Sequence, residues 1–212
     1  MADDAREISW ARKQFGEPEM ISAILLAAGE SRRMGEFKQL LRLGEKSFVE
    51  HCVDNLLGSR VSEVIVVTGH RDLEVRRVVG DRTVRFAHNL DFKSGMSSSI
   101  KCGVRAVSET TRACLLALVD QPQIGADVIN GVIDTYVAPT LIVIPTYEGK
   151  RGHPILLDLR LKEEILAMDP EQGLRQVVRA HQDNLAHVEV SSRAVLEDCD
   201  VLEDYERILN NG

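Results

Sequence analysis

An apolar run that ends abruptly in a glycine-containing loop places the strongest constraint on how this chain folds. Residues 21–27 are mostly apolar, and Gly29 and Gly35 follow, with two arginines and a lysine in the same segment. A buried strand that opens into such a loop can wrap its backbone N–H groups around phosphate oxygens, while the cationic side chains neutralise the phosphate charge. The segment therefore predicts a nucleotide-handling site beside the first strand.

Two well-known phosphate-binding loops do not fit this segment. The dinucleotide fingerprint G-x-G-x-x-G needs closely spaced glycines, whereas five residues separate Gly29 from Gly35. The P-loop needs Gly-Lys followed by Ser or Thr, whereas Glu36 and Phe37 follow Gly35. The loop belongs to neither class, and an ordinary strand-to-helix turn with solvated arginines is the alternative to a phosphate site.

Strand-like apolar runs alternate with helix-like segments along the rest of the chain. Four runs have the length and β-branched content of buried strands: 21–27, 64–68, 113–119 and 141–145. A capping box at Ser47 predicts a helix that ends at Leu57, and an apolar stripe predicts another over 126–137. This alternation predicts an α/β fold with a largely parallel sheet covered by helices on both faces. We expect one domain over residues 21–212, preceded by a polar extension over 1–20.

Composition argues against several classes of function. The net charge of −7 disfavours nonspecific nucleic-acid binding, which needs a broad basic surface. The four cysteines include no C-x-x-C pair for zinc or redox chemistry. No apolar run approaches the roughly 18 residues of a membrane span, and the first twenty residues lack a signal-peptide core. We therefore expect a soluble cytoplasmic protein with no nucleic-acid or membrane partner.

The glycine-containing loop matches a longer pattern, Leu-Ala-Ala-Gly-x-Ser-x-Arg-Met-Gly-x-x-Lys, at every fixed position from Leu26 to Lys38. In this the chain resembles the molybdenum-cofactor nucleotidyltransferases, the guanylyl- and cytidylyltransferases that act on molybdopterin. Sugar-nucleotide pyrophosphorylases share a looser form of the pattern. The resemblance implies a three-layer α/β/α, Rossmann-like nucleotidyltransferase fold and catalytic roles for Arg33 and Lys38. It implies nucleotide contacts from Leu26, Ala27, Ala28, Gly29, Glu30, Ser31, Arg32, Arg33 and Lys38.

A carboxylate follows the third apolar run, in the sequence Asp120-Gln121-Pro122. Ligands of open α/β sheets bind outside the carboxyl ends of the strands, so Asp120 is placed to hold a hard cation there. The alternative is an N-cap for a helix that begins near Gly125. In the family that the chain resembles, this strand-end motif holds a metal, which implies Mg²⁺ as the cofactor and Asp120 as a catalytic metal ligand.

The resemblance also implies a second metal-binding carboxylate late in the chain. The family motif Asp-x-Asp-Thr-Pro-Glu-Asp corresponds to residues 198–204, where Asp200 matches the second aspartate. Val201 and Leu202 replace the usual Thr-Pro, which leaves open whether Asp200 is aimed at the metal. A solvated acidic helix start is the alternative.

A serine-rich segment follows Asn89 and Gly95. Ser97, Ser98 and Ser99 offer hydroxyls and free N–H groups at the start of a predicted helix, so a good N-cap is the simple interpretation. The resemblance implies instead that Asn89, Gly95 and the three serines contact the base and ribose of the nucleotide. Small polar groups suit that role because hydrogen-bond geometry discriminates one base from another.

Two further residues are candidates for contacts with the second substrate, the acceptor. His153 lies in a Gly-His-Pro motif, which lines the acceptor cavity in the family that the chain resembles. Arg175 ends a segment that resembles a family loop in its second half, which implies contact with the acceptor phosphate. A hydrogen-bonded structural histidine and an arginine on a surface helix are the alternatives.

Taken together, the motifs resemble the cytidylyltransferase branch of the family more than the guanylyl branch. The resemblance implies Mg²⁺-dependent transfer of CMP from CTP to the terminal phosphate of a molybdopterin-type acceptor, with release of pyrophosphate. A molybdenum hydroxylase would receive the product. GTP is the near alternative donor and a sugar phosphate the more distant alternative acceptor. A noncatalytic nucleotide- or cofactor-binding accessory protein is the alternative from a different class.

Overall fold

A central β-sheet organises the part of the chain that the computed structural model describes, residues 20–32 and 34–211. The predicted extension over 1–20 lies outside the described residues except for Met20. The strands are β1 (Ile21–Leu26), β2 (Arg42–Leu43), β3 (Lys46–Ser47), β4 (Glu63–Thr68), β5 (Arg85–His88), β6 (Ala113–Leu118), β7 (Ile142–Tyr147), β8 (Lys150–Arg151), β9 (Ile155–Asp158) and β10 (Leu185–Glu189). The main sheet has the order β5-β4-β1-β6-β9-β7-β10, with β8 paired to β7, while β2 and β3 form a separate pair.

The sheet is mixed but mostly parallel. Strands β5, β4, β1 and β6 run parallel to one another, as do β7 and β10, whereas β9 runs antiparallel to both β6 and β7. All six residues of β1 are buried, as is typical of a parallel strand covered on both faces. The predicted α/β fold with a largely parallel sheet is confirmed, and the four predicted strands correspond to β1, β4, β6 and β7.

Helices cover both faces of the sheet. They are α1 (Phe48–Leu57), α2 (Asp72–Val79), α3 (Met96–Ala106), α4 (Ala126–Thr135), α5 (Lys162–Ala167), α6 (Leu174–Ala180) and α7 (Leu202–Asn211). Alternate residues of β1 face two separate cores: Ala23 and Leu25 pack with α1, α2 and α4, whereas Ile24 and Leu26 pack with α3, α5 and α6. The result is the three-layer α/β/α arrangement that the resemblance implies. None of the described helices combines the length and apolar character needed to cross a membrane.

The start of α1 and the end of α4 show how local and tertiary contacts set helix bounds. The backbone N–H of Ser47 donates to the Glu50 carboxylate at 2.8 Å, in the predicted capping box. Helix α4 ends at Thr135, before the predicted end of the segment 126–137. The reason is that Tyr136 adopts an extended backbone and its hydroxyl donates to buried Asp158 at 2.5 Å. A tertiary hydrogen bond therefore ends this helix before its apolar pattern does.

The carboxyl ends of β1, β4 and β6 meet at one edge of the sheet. Leu26, the last residue of β1, is in register with Val67 of β4 and with Leu118, the last residue of β6. The loops that follow these three strands therefore lie side by side. This edge is where an open α/β sheet binds its ligands.

Close packing of α3 on the sheet makes Gly103 sensitive to any side chain. A β-carbon at Gly103 would overlap Ile24 and lie 3.1 Å from Val67, whereas a β-carbon at Gly131 of α4 meets no further atom of the described residues within 4 Å. We expect Gly103→Ala to lower the free energy of unfolding by about 1–3 kcal/mol through overpacking. Gly131→Ala should raise it by about 0.5–1 kcal/mol, because alanine favours a helix more than glycine does. Urea unfolding measures both, and equal effects would contradict the close packing of α3.

Candidate functional site

A cleft of about 300 Å³ opens at the edge where β1, β4 and β6 end. Many of the predicted site residues line it: Leu26, Ala28, Gly29, Ser31, Arg32, Lys38, Gly95, Ser99, Asp120 and Asp200. Other residues line it that the sequence did not single out, among them Gln39, Phe92 and Met96. The lining comes from four separate parts of the chain: the end of β1 with the glycine loop (residues 29–38) and Gln39, the segment from Phe92 into the start of α3, the end of β6, and the segment before α7.

Gln39 holds the glycine loop in shape. Its side-chain amide donates to the backbone carbonyls of Ala27 at 3.1 Å and Gly29 at 2.9 Å, and the residue is 1% exposed. Ser31 has a left-handed backbone with φ of 55°, and its Oγ accepts a hydrogen bond from the Lys38 N–H at 3.1 Å. Because buried backbone carbonyls need partners, these bonds fix the path of the loop between β1 and the cleft.

Lys38 lies between two carboxylates in the cleft. Its Nζ is 3.0 Å from Asp120 Oδ2 and 2.8 Å from Asp200 Oδ1. The three side chains are 12%, 19% and 31% exposed respectively, so solvent screens the two ion pairs only in part. Burial lowers the pKa of Lys38, but the charge of Asp120 and the hydrogen bonds to both carboxylates outweigh burial and raise it overall. The lysine therefore stays charged and serves two carboxylates at once.

Asp120 and Asp200 reach the cleft by different routes. Asp120 follows the end of β6, and its backbone carbonyl accepts the Cys199 N–H at 3.1 Å. Asp200 precedes α7, where the Asp204 carboxylate accepts the backbone N–H groups of Asp200 at 2.9 Å and Val201 at 3.1 Å. This side-chain cap forms the turn that Thr-Pro was expected to form. The departure from the family motif therefore leaves the two aspartates converging on one point.

These two carboxylates are the groups in the cleft that suit a divalent cation. Within residues 20–32 and 34–211, no group of three or more His, Cys, Asp or Glu side chains is arranged to hold a metal ion. Asp120 Oδ1 is buried and lacks a hydrogen-bond partner in that same part of the chain. The residue before α4 is Gly125, so Asp120 is not the N-cap of that helix. Since Mg²⁺ commonly binds one or two carboxylates and takes its other ligands from water and substrate phosphates, this pair fits the ion.

The start of α3 forms one wall of the cleft. Gly95, with φ of +95°, and Ser99 line the cleft. The Asn89 side chain is 5% exposed and donates to the hydroxyls of Ser98 at 2.8 Å and Ser99 at 3.0 Å. The Ser97 hydroxyl donates to a carbonyl in the loop before α6 at 3.1 Å. Asn89, Ser97 and Ser98 line a neighbouring cavity of about 470 Å³, whereas Gly95 and Ser99 line the cleft itself.

The two predicted acceptor residues lie apart from the lining of the cleft. The His153 N–H donates to the Val195 carbonyl at 3.0 Å. Burial lowers the pKa of the His153 imidazole, and the charge of Asp120 partly opposes this shift. Arg175 is exposed on α6. The structure does not bring either side chain against the glycine loop, and their acceptor roles stay predictions.

A family model described as the MobA-like NTP transferase domain matches residues 23–185. The chain belongs to the MobA-like NTP transferase family. It is a nucleotidyltransferase, in agreement with the resemblance carried by the glycine loop. The matched range contains Lys38 and Asp120 but ends before Asp200.

Relatives of this MobA-like transferase match most of its length. The molybdenum cofactor cytidylyltransferase of Escherichia coli K12 is 27% identical over 186 residues, which cover 87% of this chain and 93% of the relative. The purine catabolism protein PucB of Bacillus subtilis 168 is 27% identical over 194 residues, covering 87% and 94%. A solved nucleotidyl transferase from Methanothermobacter thermautotrophicus aligns with a TM-score of 0.81 and 27% identity, covering 92% of this chain and 98% of that one.

Two of the predicted nucleotide-binding residues in and beside the glycine loop, Ala27 and Glu30, are not among the described residues that line the cleft. Ala27 is fully buried and meets Gln39 through its carbonyl, and Glu30 pairs with Arg32 at 2.5 Å. Arg33, predicted to be catalytic, lies outside the described residues. Gln39 was missed because a glutamine gives no sign of burial by itself. The apolar residues that follow it were the available signal.

Loss of the Lys38 ammonium should destabilise the fold measurably. Lys38→Met leaves Asp120 and Asp200 facing each other without their shared cation, and we expect a loss of about 2 kcal/mol in the free energy of unfolding. The pKa of Lys38 is raised on folding, so its contribution is complete at neutral pH and is lost only as the pH rises above the ordinary value of 10.5. Urea unfolding at pH 7 measures the loss. Lys150→Met, at an exposed site, is the matched control, and an equal effect there would contradict the role of the ion pairs.

Proposed function

We propose that this protein is a Mg²⁺-dependent cytidylyltransferase that transfers CMP from CTP to the terminal phosphate of a molybdopterin-type acceptor. The convergence of Lys38, Asp120 and Asp200 beside the glycine loop carries the proposal. One cation and two carboxylates beside a phosphate-binding loop are what a nucleoside triphosphate and its metal require. The 27% identity to a molybdenum cofactor cytidylyltransferase supports the choice of donor and acceptor.

The residues of the chain bind and orient the two substrates. Backbone N–H groups of the glycine loop hold the triphosphate, and Lys38 neutralises its charge. Asp120 and Asp200 hold Mg²⁺, which when bound supplies charge neutralisation at the reacting phosphates. An oxygen of the acceptor phosphate bonds to the α-phosphorus as the bond to pyrophosphate breaks. That phosphate is already ionised at neutral pH, so positioning and charge carry the rate without a general base.

The start of α3 selects the base in this proposal. Gly95 and Ser99 line the cleft and offer small polar surfaces, while Asn89 holds the Ser99 hydroxyl from behind at 3.0 Å. A wall fixed by buried hydrogen bonds can discriminate by geometry, because a base that leaves those groups unpaired binds less well. The product of this reaction would be a cytidylylated molybdopterin, and a molybdenum hydroxylase is its proposed recipient.

Nucleotide binding tests donor and metal together. We expect calorimetry to show that CTP binds more tightly than GTP, ATP or UTP and that Mg²⁺ is needed for tight binding. A preference for GTP would assign the protein to the guanylyl branch. CTP binding that is equally tight with and without Mg²⁺ would contradict the proposed metal site and favour a noncatalytic accessory protein. Pyrophosphate release from CTP with molybdopterin, but not with a sugar 1-phosphate, would then identify the acceptor.

Turnover should depend strongly on Lys38. We expect Lys38→Ala to reduce the rate of pyrophosphate release by about 100-fold or more, because it removes a charge that acts on the triphosphate in a partly dry site. Circular dichroism should show that the variant is still folded. Lys150→Ala is the matched control and should keep the wild-type rate. Wild-type turnover in Lys38→Ala would remove this lysine from the mechanism.

A further inference from the structure

Gln121 directly follows Asp120 but does not line the cleft. It is 4% exposed, and its side-chain Nε2 donates to Asp198 Oδ1 at 2.8 Å and to the Val195 carbonyl at 3.3 Å. One buried amide therefore connects the end of β6 to two points of the segment that leads to Asp200. Such buried hydrogen bonds to a carboxylate are stronger than neutral ones and fix geometry.

Asp200 needs this connection more than Asp120 does. Asp120 leaves a strand at the centre of the sheet, whereas Asp200 lies between the short 3-10 turn Arg193–Leu196 and α7, in a segment outside the sheet. The Asp204 carboxylate holds the chain after Asp200, through the two N–H groups described above. Gln121 holds the chain before it. The aspartate is thus held by these two side chains and by the backbone bond from Cys199 to Asp120, rather than by a strand ladder.

We infer that Gln121 is a positioning residue that aims Asp200 at the cation site through its hydrogen bond to Asp198. The inference rests on the proposed function, in which Asp120 and Asp200 hold the metal of the metal–nucleotide complex. A side chain that orients a metal ligand commonly changes metal affinity by about 10- to 100-fold when it is removed. Gln121 would act on the metal without touching it.

Variants of Asp198 can distinguish two roles for its carboxylate: a negative charge at the metal site, or a hydrogen-bond acceptor for Gln121. Asp198 lies two residues before Asp200, and its Oδ1 accepts the hydrogen bond from Gln121 at 2.8 Å. If Asp198 served as a charge at the metal site, removing the charge would weaken metal binding. If it serves as the acceptor for Gln121, only removal of its oxygen matters. Asp198→Asn keeps the oxygen and removes the charge, whereas Asp198→Ala removes both.

The test measures Mn²⁺ binding to the full chain in the presence of CTP, by the loss of the free-ion electron paramagnetic resonance signal. We expect Gln121→Leu and Asp198→Ala to weaken Mn²⁺ binding about tenfold, with Asp198→Asn within about twofold of wild type. CTP binding without metal should be unchanged in all three variants. A purely structural role would not separate metal affinity from CTP affinity in this way.

A crystal structure of Gln121→Leu supplies a measurement independent of the metal. We expect the Asp200 carboxylate to leave Lys38, so that the 2.8 Å contact of the wild type lengthens. An Asp200 that keeps this contact, or an Asp198→Asn variant as weak as Asp198→Ala, would overturn the inference. A wild-type protein that shows no Mn²⁺-dependent CTP binding would overturn the proposed function instead. In that case the crystal structure would still decide whether Gln121 places Asp200.

Discussion

The ammonium of Lys38 joins three parts of the chain that are far apart in sequence. It draws the glycine loop, the end of β6 and the segment before α7 to one point, with contacts of 3.0 and 2.8 Å to the two aspartates. Without it the two carboxylates would repel each other across a partly dry cleft, although the backbone bond from Cys199 to Asp120 would still join the two segments. The sheet brings the loops to the same edge. The lysine and the two aspartates then give this edge the charges that a nucleotide and its metal require.

Strong local patterns made most of the fold predictable. Each buried strand near the centre is mostly apolar, and the Ser47 capping box marks the start of α1 at the residue where it is observed. The end of α4 was wrong by two residues, 135 against 137, because Tyr136 makes a tertiary hydrogen bond that no local pattern contains. Helix ends governed by distant partners lie beyond what spacing can predict.

In the site, too, residues in local motifs could be predicted, whereas contacts between distant residues could not. Lys38 and Asp120 follow directly from their motifs, and the structure places them 3.0 Å apart. The aim of Asp200 could not be predicted because Val201-Leu202 stands in place of Thr-Pro. Asp204 matches the last aspartate of the family motif, but only the structure shows that its carboxylate caps this turn. The partners of Gln39 and Gln121 could not be predicted, since a buried amide that serves two partners looks the same in a sequence as an exposed one. The nucleotide contact of Asn89 stays a prediction, and the structure adds that its amide donates to Ser98 and Ser99.

The position of Asp200 after the last strand has a consequence for how the protein is made. The sheet ends with β10 at Glu189, and Asp200 comes later in the chain. Synthesis from the N-terminus can therefore complete the sheet before it completes the site. In a nascent chain whose sheet has already formed, Asp120 can contact Lys38, but Asp200 is not yet in the cleft. The order of the chain thus allows the sheet to form before the nucleotide site is complete, because the site still needs the segment that carries Asp200.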